Sequence, residues 1–163
     1  MNEQDTERLM RICRKVEGKC MGMRVRRAAR VVGNYYDLHL KSVGLKGTQF
    51  TLLNAIFLNP SITITQLADI LLLNRTTLNR NLKPLERQGF IRTSPGEDQR
   101  TRILQLTREG RSILQQALPL WIEAQSGVVE TLGIRIQRLA EDLSQLEKLE
   151  TNLTASPQLA SGP

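Results

Sequence analysis

Apolar residues at Leu9, Cys13, Val16, Cys20 and Met23 follow one another at intervals of 4, 3, 4 and 3. This is the heptad spacing of a helix that lays one stripe against another helix. The period shifts register and continues through Ala28, Val31 or Val32, Tyr35 and Leu38, which predicts helix over about residues 7–41. Gly18 and Gly22 each weaken a helix by on the order of 1 kcal/mol relative to alanine, so a break into two helices is expected there. After a turn at 43–47, Thr48 is positioned to cap a helix through Phe50, Leu52, Leu53, Ile56 and Phe57 that stops before Asn59-Pro60. The β-branched run 61–64 predicts a brief strand. Thr65 then caps a third helix that buries Leu67, Ala68, Leu71 and Leu72. Asn74 caps a fourth, over about 75–88, with Leu78, Leu82 and Leu85 inward and Gly89 as its C-terminal cap. Pro84 lies inside this fourth helix and removes a backbone donor, so a mild bend is expected.

A short strand at 90–93, a polar turn-rich loop at 94–100 and a second strand at 101–107 predict a β-hairpin with a long tip. A helix follows past Leu114, Leu118 and Trp121. Beyond Gly133 a last helix belongs to the series Leu132, Ile136, Leu139, Leu143 and Leu146, again spaced 4, 3, 4 and 3. Two short helices joined by a tight turn and followed at once by a hairpin make a winged helix-turn-helix. The expected fold is therefore mainly α with a small β-hairpin: a winged head at 48–108, flanked by N-terminal helices at 1–47 and C-terminal helices at 109–153. The Ala/Ser/Gly/Pro-rich stretch 154–163 reads as a flexible tail. The terminal seams have few partners within so small a head, so they are expected to form a homodimer interface.

The fourth helix carries the candidate chemistry. With its leucines turned inward, the opposite face presents Arg75, Thr76, Thr77, Asn79, Arg80 and Lys83. Arginine pairs with guanine, asparagine with adenine, and threonine with phosphate or the thymine methyl in the major groove of double-stranded DNA. The N-terminal half of a recognition helix is the part that enters the groove. Residues 74–111 hold nine Lys+Arg against four Asp+Glu. At the wing, Arg100 and Arg102 can reach the neighbouring minor groove or its phosphates. Asp98, paired with Arg75 or Arg100, would orient a guanidinium.

Charge agrees with this reading. The 163 residues carry 23 Lys+Arg against 16 Asp+Glu, a formal net charge of +7, with a pI of about 10.0. Polyanions are the expected partners. No apolar run approaches the roughly 18–20 residues of a membrane span, and the polar, acidic start at 1–7 does not read as a secretory signal. Two cysteines make no disulfide scaffold, so a reducing cytoplasm is expected. His39 is the single histidine, which disfavours a zinc site or a Ser/His/Asp triad. No glycine loop has phosphate-cradling spacing. No enzyme activity, metal or cofactor is therefore expected.

Several segments together carry a family resemblance: Thr48-Gln49-Phe50-Thr51-Leu52-Leu53, Thr65-Gln66-Leu67-Ala68, Arg75-Thr76-Thr77-Leu78, Pro84-Leu85-Glu86-Arg87-Gln88-Gly89, Asp98-Gln99-Arg100-Thr101-Arg102 and Leu106-Thr107-Arg108-Glu109-Gly110. Over about residues 23–153 the chain resembles the MarR family of bacterial winged-helix regulators. The resemblance implies a transcription regulator, and the expected action is that of a repressor. It implies an intertwined homodimer built from the terminal helices, a palindromic operator, and release by a small aromatic, phenolic or oxidant signal. It assigns the groove to 75–80 and the wing roles to Asp98, Arg100 and Arg102. It extends to neither Cys13 nor Cys20.

Some readings stay open at this level. Tyr35, Tyr36, Leu118 and Trp121 are either core or the lining of a ligand pocket between the head and the dimer helices. Arg24, Arg26, Arg27 and Arg30 form either a solvated, salt-bridged face or a phosphate contact. Cys13 and Cys20 are either small hydrophobes packed in the seam or a redox pair. On an unbroken helix their Cα atoms lie about 10.5 Å apart, beyond the reach of about 7 Å that a disulfide allows, so an intrachain bridge requires a break near Gly18. The alternative function is a winged-helix protein-interaction module that does not touch DNA. Its mark would be an acidic or apolar recognition face, and Arg75, Asn79, Arg80 and Lys83 stand there instead.

Overall fold

The computed structural model describes residues 2–96 and 101–155, and of 150–155 the helix alone. Seven α-helices and one antiparallel hairpin are described. The first helix, α1 (Glu3–Val16), begins with a reciprocal cap. Asn2 Oδ1 accepts from the Asp5 N–H at 2.8 Å, and the Asp5 carboxylate accepts from the Asn2 N–H at 3.3 Å. The chain breaks at Gly18, whose φ of +74° suits glycine. It resumes as α2 (Met21–Leu40). The seam that spans Leu9 to Met23 in sequence is thus divided between two helices, and α1 buries none of its residues.

A 3₁₀ turn (Lys41–Val43) leads to α3 (Gly47–Leu58), which buries Phe50, Leu52, Leu53 and Ile56. Its cap differs from the expected Thr48. The Gly47 N–H donates to Asp37 Oδ1 of α2 at 2.7 Å, and Gln49 Oε1 accepts from the Lys46 N–H at 2.9 Å. The strand expected at 61–64 is reduced to a single bridge between Thr63 and Ile103, supported by the Leu104 N–H donating to the Ile62 carbonyl at 2.8 Å. Ser61, with φ of +66°, bends the chain before it, and α4 (Ile64–Ile70) takes it up directly after.

Thr63, not Thr65, caps α4. Its Oγ1 accepts from the Gln66 N–H at 3.1 Å, and Gln66 Oε1 accepts from the Thr63 N–H at 2.9 Å. Leu67 and Ala68 are buried as expected, but Leu72 is 53 % exposed. The helix has already ended, and Leu72, at φ +49°, turns out of the core.

Helix α5 (Arg75–Arg87) continues through Pro84, and Gly89, at φ +72°, follows its end. Strands β1 (Ile91–Pro95) and β2 (Arg102–Leu106) pair antiparallel with Ile91 opposite Leu106. Helix α6 (Arg108–Leu132) and α7 (Arg135–Ala155) are separated at Gly133, φ +55°. Asp98 and Arg100, and the tail beyond Ala155, lie outside the described residues.

The chain divides into two compact units, residues 1–124 and 125–163. In the first, Leu40, Leu53, Leu67, Leu78, Leu85 and Leu104 are fully buried in one core. That core joins the end of α2, helices α3 to α5, the hairpin and the first half of α6. Removal of this apolar surface from water is the main drive for the head to form. In the second unit, α7 leaves Leu139, Leu143 and Leu146 at 40–41 % exposure. Among the described residues no helix is long and apolar enough to cross a membrane, and no group of three or more His, Cys, Asp or Glu could hold a metal ion.

Candidate nucleic-acid interface

Three devices fix α5. Its first turn is capped by Asn74, whose Oδ1 accepts from the Thr77 N–H at 2.8 Å. Its inner face is held by Leu78, Leu82 and Leu85, all buried. Its C-terminal half is tied to the wing by a hydrogen bond from Thr93 Oγ1 of β1 to Glu86 Oε1. The outer face that remains exposes Arg75, Thr76, Asn79, Arg80 and Lys83, with Thr77 half-buried. The structure therefore brings all six expected groove residues onto one helix, with five of them open to solvent.

Arg75 is not a free side chain. Its Nη2 donates to Thr65 Oγ1, 3.0 Å away on α4. Sequence reasoning gave Thr65 a capping role and overlooked this contact. The capping signature Thr63-x-x-Gln66 would have freed Thr65 for it.

The wing is anchored at its base. Arg92 Nε and Nη2 both donate to Gln105 Oε1 across the strands, at 3.1 and 2.8 Å. Thr107 caps α6: its Oγ1 accepts from the Gly110 N–H at 2.9 Å and donates to the Gly89 carbonyl at 2.6 Å. One hydroxyl thus ties the end of α5, the exit of the wing and the start of α6. Arg102 lies exposed at the outer end of β2.

Of the four expected pocket residues, two line one groove and two do not. Tyr36 and Trp121 line an open groove of about 490 Å³ along α2 and the start of α3, together with Arg30, Asp37, Thr48 and Thr51. Trp121 stacks on Phe50 at 5.7 Å and 13°, and on Tyr36 at 6.1 Å and 30°. Burial, and secondarily the neighbouring Tyr35, hold the Tyr36 phenol above the ordinary value of 10.0. Tyr35 does not line the groove and packs instead on His39, ring centroids 4.5 Å apart. Leu118 is also away from it, exposed on α6.

Cys13 and Cys20 are both free and exposed in the single chain, and Cys20 stands at the N-terminus of α2 rather than within a continuous seam. The break at Gly18 removes the straight-helix separation that argued against a bridge between them. In the α2 arginine cluster, Arg24 Nε donates to the Gly18 carbonyl at 2.8 Å, and Arg26, Arg27 and Arg30 are exposed.

The model of the MarR family matches residues 43–101. YybA of Bacillus subtilis (strain 168), described as an uncharacterized HTH-type transcriptional regulator, is 34% identical over 87 residues, 52% of this chain and 57% of that protein. The transcriptional regulator MosR of M. tuberculosis, solved in complex with DNA, is 39% identical, with 80% of this chain and 97% of that one covered at a TM-score of 0.72. The chain belongs to the MarR family of transcription regulators. Another similar structure is the transcriptional repressor CouR bound to a 23-mer DNA duplex: 28% identity, 83% and 95% coverage, TM-score 0.70. The MarR-family match spans the whole of α3, α4 and α5 and the start of the hairpin, so the similarity falls on the elements that build the exposed face.

Proposed function

We propose that this chain is a sequence-specific DNA-binding regulator that acts as a homodimer on a two-fold-symmetric operator in the cytoplasm, and that its action there is repression. The observation that carries the reading is the outer face of α5. Arg75, Asn79, Arg80 and Lys83 are exposed on a helix whose position is fixed by Asn74, by three buried leucines and by the wing. Donors of these kinds on the first turns of a helix match the edges of guanine and adenine and the flanking phosphates. Arg102, exposed on β2, and Arg100, which precedes that strand in sequence, extend the contact to the adjoining minor groove, with Asp98 orienting a guanidinium. The DNA complexes of MosR and CouR support the same reading by relationship. A repressor in this sense works by occupying its site.

Dimerisation is supported by apolar surface that one chain leaves open: Val31 and Leu38 on α2 are 68 and 67 % exposed, and α7 keeps its leucine series in water. Patches of this kind on a regulator mark an interface. Two copies related by a two-fold axis place two α5 helices on successive turns of one DNA face, which requires an inverted-repeat site.

The groove beside Trp121 supports release by a small signal. Stacked Tyr36 and Trp121 offer an aromatic wall, and Arg30 at its rim suits an anionic or phenolic group. The exposed thiols of Cys13 and Cys20 are the corresponding candidates for an oxidant.

The test is selection of bound fragments from a genomic library by the intact chain. An enriched inverted repeat of about 10 base pairs between half-site centres is the expected result. Recovery of fragments with no shared sequence would remove the claim of specificity.

A further inference from the structure

The side chain of Arg75 is held in place by a residue of the preceding helix. Arg75 is the first residue of α5, where the exposed N–H groups already place partial positive charge, so a guanidinium gains nothing there from the helix dipole. An arginine at such a position carries several rotatable bonds and would ordinarily sample many rotamers in water. Here its Nη2 donates to Thr65 Oγ1 at 3.0 Å, across ten positions of sequence and between the two helices of the helix-turn-helix.

The hydroxyl is available for this because it is not the cap of α4. Thr63 performs that task with Gln66. The Thr65 oxygen therefore accepts from Arg75, while its own O–H remains able to donate outward. Thr65 is exposed, as is Arg75.

We infer that Thr65 is a positioning residue for DNA readout: it presets the Arg75 guanidinium for a base edge, and it couples that base contact to a phosphate reached by its own hydroxyl. The inference rests on the reading of α5 as the groove-facing helix. One bond from Nη2 leaves the other N–H groups of the guanidinium free, and two of them are what the O6 and N7 of guanine need. Holding the fork before binding removes part of the ordering cost that an unrestrained arginine would incur on contact. A phosphate accepting from Thr65 polarises the hydroxyl and strengthens the bond it accepts from Arg75.

The experiment uses full-length protein and a randomised duplex pool, from which the preferred duplex is selected and then varied one base pair at a time. Binding is compared for the parent, Arg75→Ala, Thr65→Val, Thr65→Ser and the double variant Thr65→Val/Arg75→Ala, with thermal unfolding confirming that each folds. Arg75→Ala is expected to abolish preference at one base pair. Thr65→Val is expected to reduce preference at that same pair by about three- to tenfold, the scale of one lost solvent-exposed hydrogen bond. Thr65→Ser keeps the hydroxyl and is expected to keep the preference. The double variant is expected to match Arg75→Ala at that pair. If Thr65→Val weakens all duplexes equally and leaves the preference intact, Thr65 is a phosphate contact only and the inference fails. It fails equally if Arg75→Ala alters preference at no base pair. A parent chain that binds every duplex alike, or none, overturns the DNA-reading function itself as well.

Discussion

The α-carbon of Gly110 lies so close to Phe90 that a β-carbon built on it would stand 1.9 Å from the Phe90 carbonyl oxygen. This contact places the first turn of α6 directly on the chain that leaves α5 for the wing, where Thr107 also binds the Gly89 and Phe90 carbonyls, at 2.6 and 3.2 Å. The obstacle is backbone rather than the movable end of a side chain. Gly110→Ala must therefore displace either α6 or the root of the wing. The expected cost is about 3 kcal/mol or more, at the upper end of what overpacking produces, with a fall in Tm of roughly 10 °C. An unchanged melting temperature by circular dichroism would mean that the close approach does not exist in solution.

The cap of α3 can be separated from the one its sequence suggests. Asp37→Ala removes the acceptor for the Gly47 N–H and should cost about 1 kcal/mol, whereas Asp37→Asn keeps an oxygen there and should recover most of it. Thr48→Ala should stay within about 0.5 kcal/mol of the parent, as a surface change does. Urea denaturation of the three variants checks this, and a larger effect at Thr48 than at Asp37 would reverse the assignment.

These two sites show how far the sequence was legible. Helix α5 could be read in full, because its cap at Asn74, its leucine period and its terminal Gly89 are all local signals. The exposed face followed from them, with five of the six candidate residues on it and Thr77 half-buried. The cap of α3 was not legible, since Asp37 reaches it from another helix and only tertiary packing brings the two together. At α4, Thr63 and Thr65 compete as caps, and Gln66 settles the matter for Thr63. The stretch 61–64 has strand composition, yet the bend at Ser61 and the immediate start of α4 leave it a single bridge. Tyr35 and Tyr36, adjacent in sequence, part because α2 turns Tyr35 towards His39 and Tyr36 towards Trp121, while Leu118 lies exposed on α6.

Tyr36 makes stability depend on alkaline pH. Burial, with a lesser contribution from Tyr35, raises its phenol above 10.0, so the folded state favours the neutral form more than the unfolded chain does. The resulting stability is fully present below about pH 10 and is lost as the pH rises through the folded-state value. Tyr36→Phe should therefore lose less stability than the parent as the pH rises above about 10, measured as the change in Tm with pH. Parallel curves for the two proteins would contradict the burial of this hydroxyl.

The open leucine series of α7 should cover itself in solution. Light scattering of the intact chain at micromolar concentration is expected to give the mass of two copies. Leu139→Glu combined with Leu143→Glu places charges in that series, where each leucine is 40 % exposed in one chain, and should yield monomer or aggregate with DNA affinity lost. A monodisperse monomer for the parent would remove the homodimer.

The measurement closest to the central claim is the salt dependence of binding to the selected duplex and to a scrambled duplex of equal length, for the parent, for Arg80→Ala and for Arg100→Ala. The parent should prefer the selected duplex by at least about 10³ at physiological salt, and its affinity should fall steeply and linearly in log–log form as salt rises. Arg80→Ala should lose about 1–3 kcal/mol of preference at particular base pairs. Arg100→Ala should weaken both duplexes and lower the slope by about one unit. Equal affinity of the parent for the two duplexes, or binding that salt does not affect, would contradict the account of α5 and the wing as a DNA-reading surface.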